Sequence, residues 1–209
     1  MIEEILSVDV MSAEAFDDDA DIHLFAEERA AVADAVPRRR REFSTVRRCA
    51  RSALGELVIP PAPLPPGRHR DPQWPAEVVG SMTHCSGYRA AAVAGASRRR
   101  SVGIDAEESA PLPEGLLDRG ALPAERNLAE RLGARSDAVL WDRLLFSCKE
   151  AVCKVWFPLT QRRPGVGGAR IDIDSGGFFS ARFLAPPPRA AGNSVPRLTG
   201  AGCTAAGSF

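Results

Sequence analysis

Between Trp141 and Trp156 the chain reads Trp-Asp-Arg-Leu-Leu-Phe-Ser-Cys-Lys-Glu-Ala-Val-Cys-Lys-Val-Trp, and no other stretch constrains the fold as strongly. At about 100° per residue, Leu144, Leu145, Cys148, Ala151, Val152 and Val155 fall on one apolar stripe. Arg143, Ser147, Glu150 and Lys154 follow at helical spacing as a polar stripe beside it. This pattern predicts a helix that buries one face in a core and carries polar groups along its border. Pro158 is expected to stop the helix soon after Trp156. As an ordinary Glu-to-Lys pair, Glu150 and Lys154 would contribute only about a few tenths of a kcal/mol. Among 27 Lys plus Arg, however, only Lys149 and Lys154 are lysines, and both sit in this helix. In a chain that otherwise uses arginine, this points to a compact ammonium being required at one of them.

The length of 209 residues suits one domain of ordinary size or two small, closely packed halves, and 44% apolar content can supply a core. Acids and bases balance at 27 each, so no net field attracts nucleic acid or a membrane. Charge is local instead, acidic at Asp17–Asp19 and basic at Arg38–Arg41 and Arg98–Arg100. Five cysteines form no C-x-x-C pair and no zinc spacing, and with no signal peptide they read as reduced thiols in a cytoplasm. No apolar run approaches the roughly 20 residues of a membrane span.

In chain order, residues 1–20 begin with an apolar-acidic alternation suited to an edge strand and end in an acidic turn. Leu24–Ala35 reads as a short helix, and Pro37 suits the first position of the next one. There Phe43, Val46, Ala50, Leu54 and Leu57 make the core stripe. Arg40, Arg47 and Arg51 border it, as a solvated basic edge or an anion clamp. Residues 59–75 form a stiff Pro-rich connection with Arg68, His69 and Arg70 at its tip. Ser81–His84 reads as a strand, Gly87 as a turn or bulge, Arg89–Val93 as a second strand or short helix, and Arg98–Arg100 as a hairpin tip leading into Ser101–Glu107, another strand. Residues 109–139 are helix and loop; 170–184 read as a β-hairpin with a glycine turn; residues 185–209 read as loosely ordered.

Asp105 and Glu107, two apart on that expected strand, would leave one face about 7 Å apart along the chain. At an effective dielectric near 20 a like-charge pair about 6 Å apart costs on the order of 3 kcal/mol unless a cation or proton intervenes. All-oxygen ligands suit Mg²⁺ or Mn²⁺, with Glu150 as a third carboxylate. Alone, the pair reads equally as a solvated strand end. His84 is by default a structural histidine, yet in Gly80-Ser-Met-Thr-His84 the Thr83 hydroxyl and the imidazole together could bind a phosphate. A Cys85/His84 nucleophilic pair is rejected, because neighbours in a strand point to opposite faces.

Gly80-Ser-Met-Thr-His-Cys85, Val102-Gly-Ile-Asp-Ala-Glu107 and Phe146-Ser-Cys-Lys-Glu-Ala-Val-Cys-Lys154 together resemble the three ordered motifs of the 4′-phosphopantetheinyl transferases of the surfactin/enterobactin type, actinobacterial members above all. Val46-Arg-Arg-Cys-Ala-Arg51 and Pro72-Gln-Trp-Pro75 match as well, so the likeness covers roughly residues 35–184. The resemblance implies an α+β (α/β) fold of two similar halves related by a pseudo-twofold, with coenzyme A in the cleft between them. The halves are expected at 1–100 and 101–184, with 185–209 as a tail. It further implies that Asp105, Glu107 and Glu150 hold Mg²⁺, with Glu150 also proposed as general base, and that Lys154 contacts the pyrophosphate. The remaining coenzyme contacts implied are Thr83, His84, Lys149, Arg39 and Arg47, the last two near the 3′-phosphate. Close relatives have a lysine where Pro66 stands, which passes that phosphate contact to Arg68 or Arg70; Phe146 replaces a tryptophan. The activity implied is transfer of the 4′-phosphopantetheine arm of coenzyme A to a serine of an acyl or peptidyl carrier protein, by a cytoplasmic monomer. A non-catalytic coenzyme A-binding protein is one alternative. The other, a nucleic-acid-binding module built on the Arg38–Arg51 helix, has zero net charge and few aromatics against it.

Overall fold

The computed structural model describes residues 1–19, 22–135, 138–162, 168–184, 189–190, 193–194 and 197–202. Helices and antiparallel sheets mix as an α+β protein in two compact units. The first comprises Ile2 and Ser7–Ala106; the second comprises Met1, Glu3–Leu6 and the described residues from Glu107 onward. No helix among the described residues is long and apolar enough to cross a membrane.

In the first unit, β1 (Met11–Ala15), β2 (Val78–Cys85) and β3 (Tyr88–Gly95) form an antiparallel sheet in the order β1-β3-β2. Helix α1 (Ala26–Ala31) is shorter than the sequence suggested, and α2 (Pro37–Glu56) opens on proline as expected. Every residue from Ala90 to Ala94 is fully buried. Such small side chains let α2 lie close, its Cys49, Ala50, Ala53 and Leu54 packing with Val78, Ala91 and Val93. Gly80 is required because a Cβ there would meet the Trp74 ring and the Ala92 carbonyl at 2.9 Å.

The β2–β3 hairpin pairs Thr83 with Ala90 and His84 with Arg89, around a turn in which Gly87 takes a left-handed φ of 68°. Ser81 and Thr83 leave the face opposite Met82 and His84. The segment 101–107, expected as a strand, makes no ladder. It is held instead by side chains: Ser81 Oγ donates to the Ile104 carbonyl (3.5 Å), and Thr83 Oγ1 accepts from the Ala106 N–H (2.9 Å). Those hydroxyls stand off the sheet face, so the segment crosses that face and never reaches an edge where backbone pairing is possible.

The second unit contains α3 (Leu116–Gly120), α4 (Pro123–Gly133) and α5 (Trp141–Thr160), then β4 (Ala169–Ile173), β5 (Phe178–Phe183), a two-residue pair β6 (Arg189–Ala190) and β7 (Asn193–Ser194), and β8 (Arg197–Ala201). Trp141, Leu145, Cys148, Val152 and Trp156 of α5 are buried with Ala129, Leu132, Ile171, Ala181 and Phe183. The Trp156 and Phe183 rings lie 4.4 Å apart. Leu144 and Val155 of the expected stripe are only half-buried; the tryptophans at either end turn the buried face slightly. Nor does Pro158 stop α5. The helix runs two residues past it, with Thr160 Oγ1 donating to the Trp156 carbonyl (3.0 Å) and the Gln161 N–H to the Phe157 carbonyl (2.8 Å), and ends at Gln161 with φ 54°.

The tail expected to be loosely ordered contains β8, antiparallel to β5 with Leu198 against Ala181 and packed on the core. Its Arg-Leu-Thr-Gly-Ala sequence has little strand propensity, so partner and position impose the strand. Gly200 lies under the Phe179 ring, where a Cβ would come to 2.5 Å, and Gly202 N–H donates to the Gly177 carbonyl (2.8 Å). The stretches 185–188, 191–192, 195–196 and 203–209 lie outside the described residues.

Each unit is fastened by one fully buried carboxylate. Glu28, third residue of α1, accepts from the N–H groups of Phe25 and Leu64 (both 2.9 Å) and from Arg51 of α2 (2.9 and 3.1 Å). Glu125, third residue of α4, accepts from the N–H groups of Leu122 and Ile171 (both 2.6 Å) and pairs with Lys149 of α5 (2.8 Å). One side chain thus caps its own helix, fixes an incoming segment and neutralises a cation on the long helix. Changing Glu125 to Ala leaves the Lys149 ammonium buried without its counter-ion. Unfolding by urea should then show a loss of about 3–5 kcal/mol, and a loss under about 1 kcal/mol would contradict this role.

Candidate active site

Asp105 and Glu107, at the junction of the two units in sequence, are each held by a different device. Thr83 donates to Asp105 Oδ1 (3.4 Å) while accepting from the next backbone N–H, so one hydroxyl orients both side chain and peptide. Glu107 is gripped by Arg143 of α5 at 2.9 Å. The same guanidinium donates to the carbonyls of Ala110 and Pro111, both at 2.8 Å, which folds the segment 107–111 around it. Arg143 stands on the predicted polar stripe, but sequence reasoning missed its function as an anchor. Its signal was the periodicity that also selects Glu150 and Lys154, both half-buried on α5.

Lys149, the other lysine of that helix, points elsewhere. Its ammonium is bound to Glu125 and donates to the Ala169 carbonyl (3.3 Å). The carboxylates Asp105, Glu107 and Glu150 offer oxygen donors only, the chemistry a hard divalent cation requires. Among the described residues no three His, Cys, Asp or Glu side chains already stand together as a metal set.

A second group of polar residues lies within the first unit, on the face of β2 that meets α2. Arg39 hydrogen-bonds to His84 Nε2 and lies 3.5 Å from Glu42, which also receives Arg38 Nε at 3.0 Å. Arg89 grips Asp18 through two bonds of 3.0 and 2.7 Å and faces Glu42 at 3.8 Å. Sequence reasoning missed Glu42 and Arg89; the register that sets Arg89 opposite His84 is what brings them in. Burial, then the charge of Arg39, push the His84 imidazole below its usual range, against the opposing pull of Glu42. Thr83 and His84, expected to act on one phosphate, leave opposite faces of β2, as consecutive strand residues must.

Each of the three arginines of the α2 border has partners within its own unit, Arg40 at an exposed position, Arg51 half-buried and Arg47 buried. Arg40 donates to the carbonyls of Ala33 and Ala35, Arg51 serves Glu28, and Arg47 donates to the Leu64 carbonyl (3.1 Å). Arg47 is buried over the Phe43 ring, 3.2 Å from its centroid, and desolvation lowers its pKa to about 10. Arg68 and Arg70 are exposed at the tip of a tight bend, closed by Gly67 N–H to the Asp71 carbonyl (2.7 Å). Gly67 has no room for a side chain beside Asp71 and Gln73, and Arg70 takes φ 66°.

Asp105 and Glu107 are each oriented by a partner within their own unit, and Glu150 and Lys154 stand one turn apart on α5. Family comparison defines the class. Residues 27–94 match the model of the 4'-phosphopantetheinyl transferase N-terminal domain, and residues 101–202 match that of the 4'-phosphopantetheinyl transferase superfamily. The chain is 52% identical over 178 residues to 4'-phosphopantetheinyl transferase Svp of Streptomyces mobaraensis, covering 85% of this chain and 72% of that one. It is 47% identical to Npt of Nocardia iowensis (89% and 86% covered) and 44% to PptT of Mycobacterium tuberculosis (92% and 86%), both likewise 4'-phosphopantetheinyl transferases. The chain belongs to the 4′-phosphopantetheinyl transferase family and is an enzyme that transfers the phosphopantetheine group.

The lowered His84 pKa has a consequence for stability. The unfolded imidazole takes up its proton near pH 6.5, before the folded one does, so stability falls as pH drops through that value and until the folded group also titrates. Urea unfolding of the wild type and His84→Gln from pH 7.5 to 5.5 should show the wild type losing stability relative to the variant. Parallel curves would contradict a partly desolvated imidazole that resists protonation in the fold.

Proposed function

We propose that the chain moves the 4′-phosphopantetheine arm of coenzyme A onto a serine of an acyl or peptidyl carrier protein, with adenosine 3′,5′-bisphosphate leaving. What chiefly supports this is the match along nearly the whole chain to relatives named for that transfer, at 44–52% identity. The serine oxygen attacks the phosphorus that bears pantetheine. The new P–O bond forms as the bond from that phosphorus to the bridging oxygen breaks, and that oxygen departs with the nucleotide.

Asp105, Glu107 and Glu150 would hold a divalent cation, Mg²⁺ or Mn²⁺, whose chemistry is to polarise the diphosphate and offset charge on the leaving phosphate. The chain's own groups do the rest. Thr83 keeps Asp105 in orientation and Arg143 keeps Glu107 there, so neither carboxylate has to be ordered when the substrate arrives. Lys154 sets a point positive charge against the diphosphate, and Glu150 accepts the serine proton, directly or through water. Arg39 and His84 contact the coenzyme phosphates, with Arg68 and Arg70 reaching from the exposed bend. Lys149 and Arg47 contribute through the frame of their units, since each is buried on partners of its own. Cys49, Cys85, Cys148 and Cys153, none in a disulfide, suit the reducing cytoplasm this reading assigns to the chain.

The test is incubation with coenzyme A, Mg²⁺ and a panel of unmodified carrier proteins, read by intact mass. The wild type should add one phosphopantetheine to at least one carrier. Asp105→Ala and Lys154→Ala should each lose on the order of a hundredfold or more in rate. Undiminished transfer by either variant rejects the role of the residue it lacks.

A further inference from the structure

Four basic groups of the first unit converge on the carboxylate of Glu42. Arg38 Nε lies at 3.0 Å, Arg39 Nη1 at 3.5 Å, Arg89 Nη2 at 3.8 Å and His84 Nε2 at 3.9 Å. Three elements supply them: α2 carries Arg38, Arg39 and Glu42; β2 carries His84; β3 carries Arg89. Glu42 itself is only 14% exposed, whereas Arg39 is 46% and His84 39% exposed. The carboxylate therefore sits inward beside the buried Arg89, while Arg38, Arg39 and His84 open to solvent.

The charges do not cancel. Asp18 is spoken for by Arg89 through two short bonds, which leaves Glu42 to answer Arg38 and Arg39. With His84 neutral, the cluster keeps one positive charge in excess. Burial raises the Glu42 carboxyl, but the Arg38 hydrogen bond and the surrounding positive charge prevail and hold it below the ordinary range. It is an anion at neutral pH.

Arg39 meets Glu42 and His84 through a single nitrogen, Nη1. A guanidinium prefers two parallel bonds to one anion, and a phosphate dianion attracts it more strongly than a carboxylate at 3.5 Å. Yet a phosphate that approaches Arg39 and His84 also approaches Glu42, and the two anions repel.

We propose that Glu42 is an internal stand-in for a ligand phosphate: it gathers Arg39 and His84 while the face is empty, gives up Arg39 when a phosphate arrives, and so limits how tightly that phosphate is held. Glu42 is a positioning residue that never enters the reaction. The inference rests on the coenzyme reading above for the identity of the phosphate, but its core concerns any phosphate anion. For an enzyme that must release a phosphorylated nucleotide after each cycle, weaker holding of this kind speeds departure.

The experiment compares wild type, Glu42→Gln and Glu42→Asp with two probes. Inorganic phosphate is followed by the NMR shifts of the His84 ring, and coenzyme A by calorimetry. Glu42→Gln keeps the shape and removes the charge, so both probes should bind more tightly, on the order of fivefold. Adding Arg39→Gln should abolish that gain. Glu42→Asp keeps the charge but draws it back, and should give a smaller gain in the same direction, which serves if the glutamine variant does not fold. Equal or weaker binding of phosphate by the variants, or of coenzyme A where the wild type binds it, overturns the inference and shows Glu42 to be a buttress for the arginines. If neither wild type nor variants bind coenzyme A while the phosphate gain remains, the inference stands and the coenzyme reading is what fails.

Discussion

A carboxylate with no exposed surface survives only where every oxygen meets donors and a cation, and two such groups hold this molecule together. Glu28 and Glu125 each stand at the third position of a short helix, where the helix's own unpaired N–H groups already favour negative charge. Each reaches a backbone N–H in a segment far along the chain, Leu64 or Ile171, and a cation on the long helix of its unit. Three elements are thereby fixed by one side chain. Either half of the pair, removed alone, leaves a bare charge in the interior, so the elements hold or fail together.

The hub in the second unit bears directly on chemistry. Lys149 is tied to Glu125, and this sets the rotation of α5 about its axis. Glu150 follows immediately and Lys154 lies a turn further on, so their directions are set by the same pair. The scarcity of lysine is thereby divided. One of the two ammoniums, Lys149, serves the frame, and the other, Lys154, stands half-buried on the polar stripe. A similar economy operates in the segment 104–107, which has no strand partner: Ser81 and Thr83 hold Ile104–Ala106, and Arg143 holds Glu107.

Much of this was legible in the residues alone, wherever one physical rule dominated. Apolar periodicity located α2 and α5; the glycine turn at 176–177 located the β4–β5 hairpin; the joint occurrence of Gly-Ile-Asp-Ala-Glu and Lys-Glu-Ala-Val-Cys-Lys pointed to the family. The misreadings arose where two rules competed. Ser101–Glu107 has the composition of a strand, but side-chain hydroxyls captured its backbone before any edge could. Pro158 removes only one N–H, and the packing of Trp156 into the core of its unit carries α5 on to Thr160. Strand β8 contains two residues of low propensity and exists because Phe179 and Gly177 receive it. Buried Glu28 and Glu125 were invisible, since a lone Glu in a short helix ordinarily faces water. The opposite facing of Thr83 and His84, by contrast, followed from strand geometry and could have been read directly.

The central reading is that Asp105, Glu107 and Glu150 act on one divalent ion, and the most direct measurement is Mn²⁺ binding followed by electron paramagnetic resonance in the presence of coenzyme A. Asp105→Asn, Glu107→Gln and Glu150→Gln should each weaken binding at least about tenfold, because each removes a charged oxygen ligand from the same ion. A wild-type affinity retained in any of the three, with the fold intact, would remove that carboxylate from the set and contradict the account.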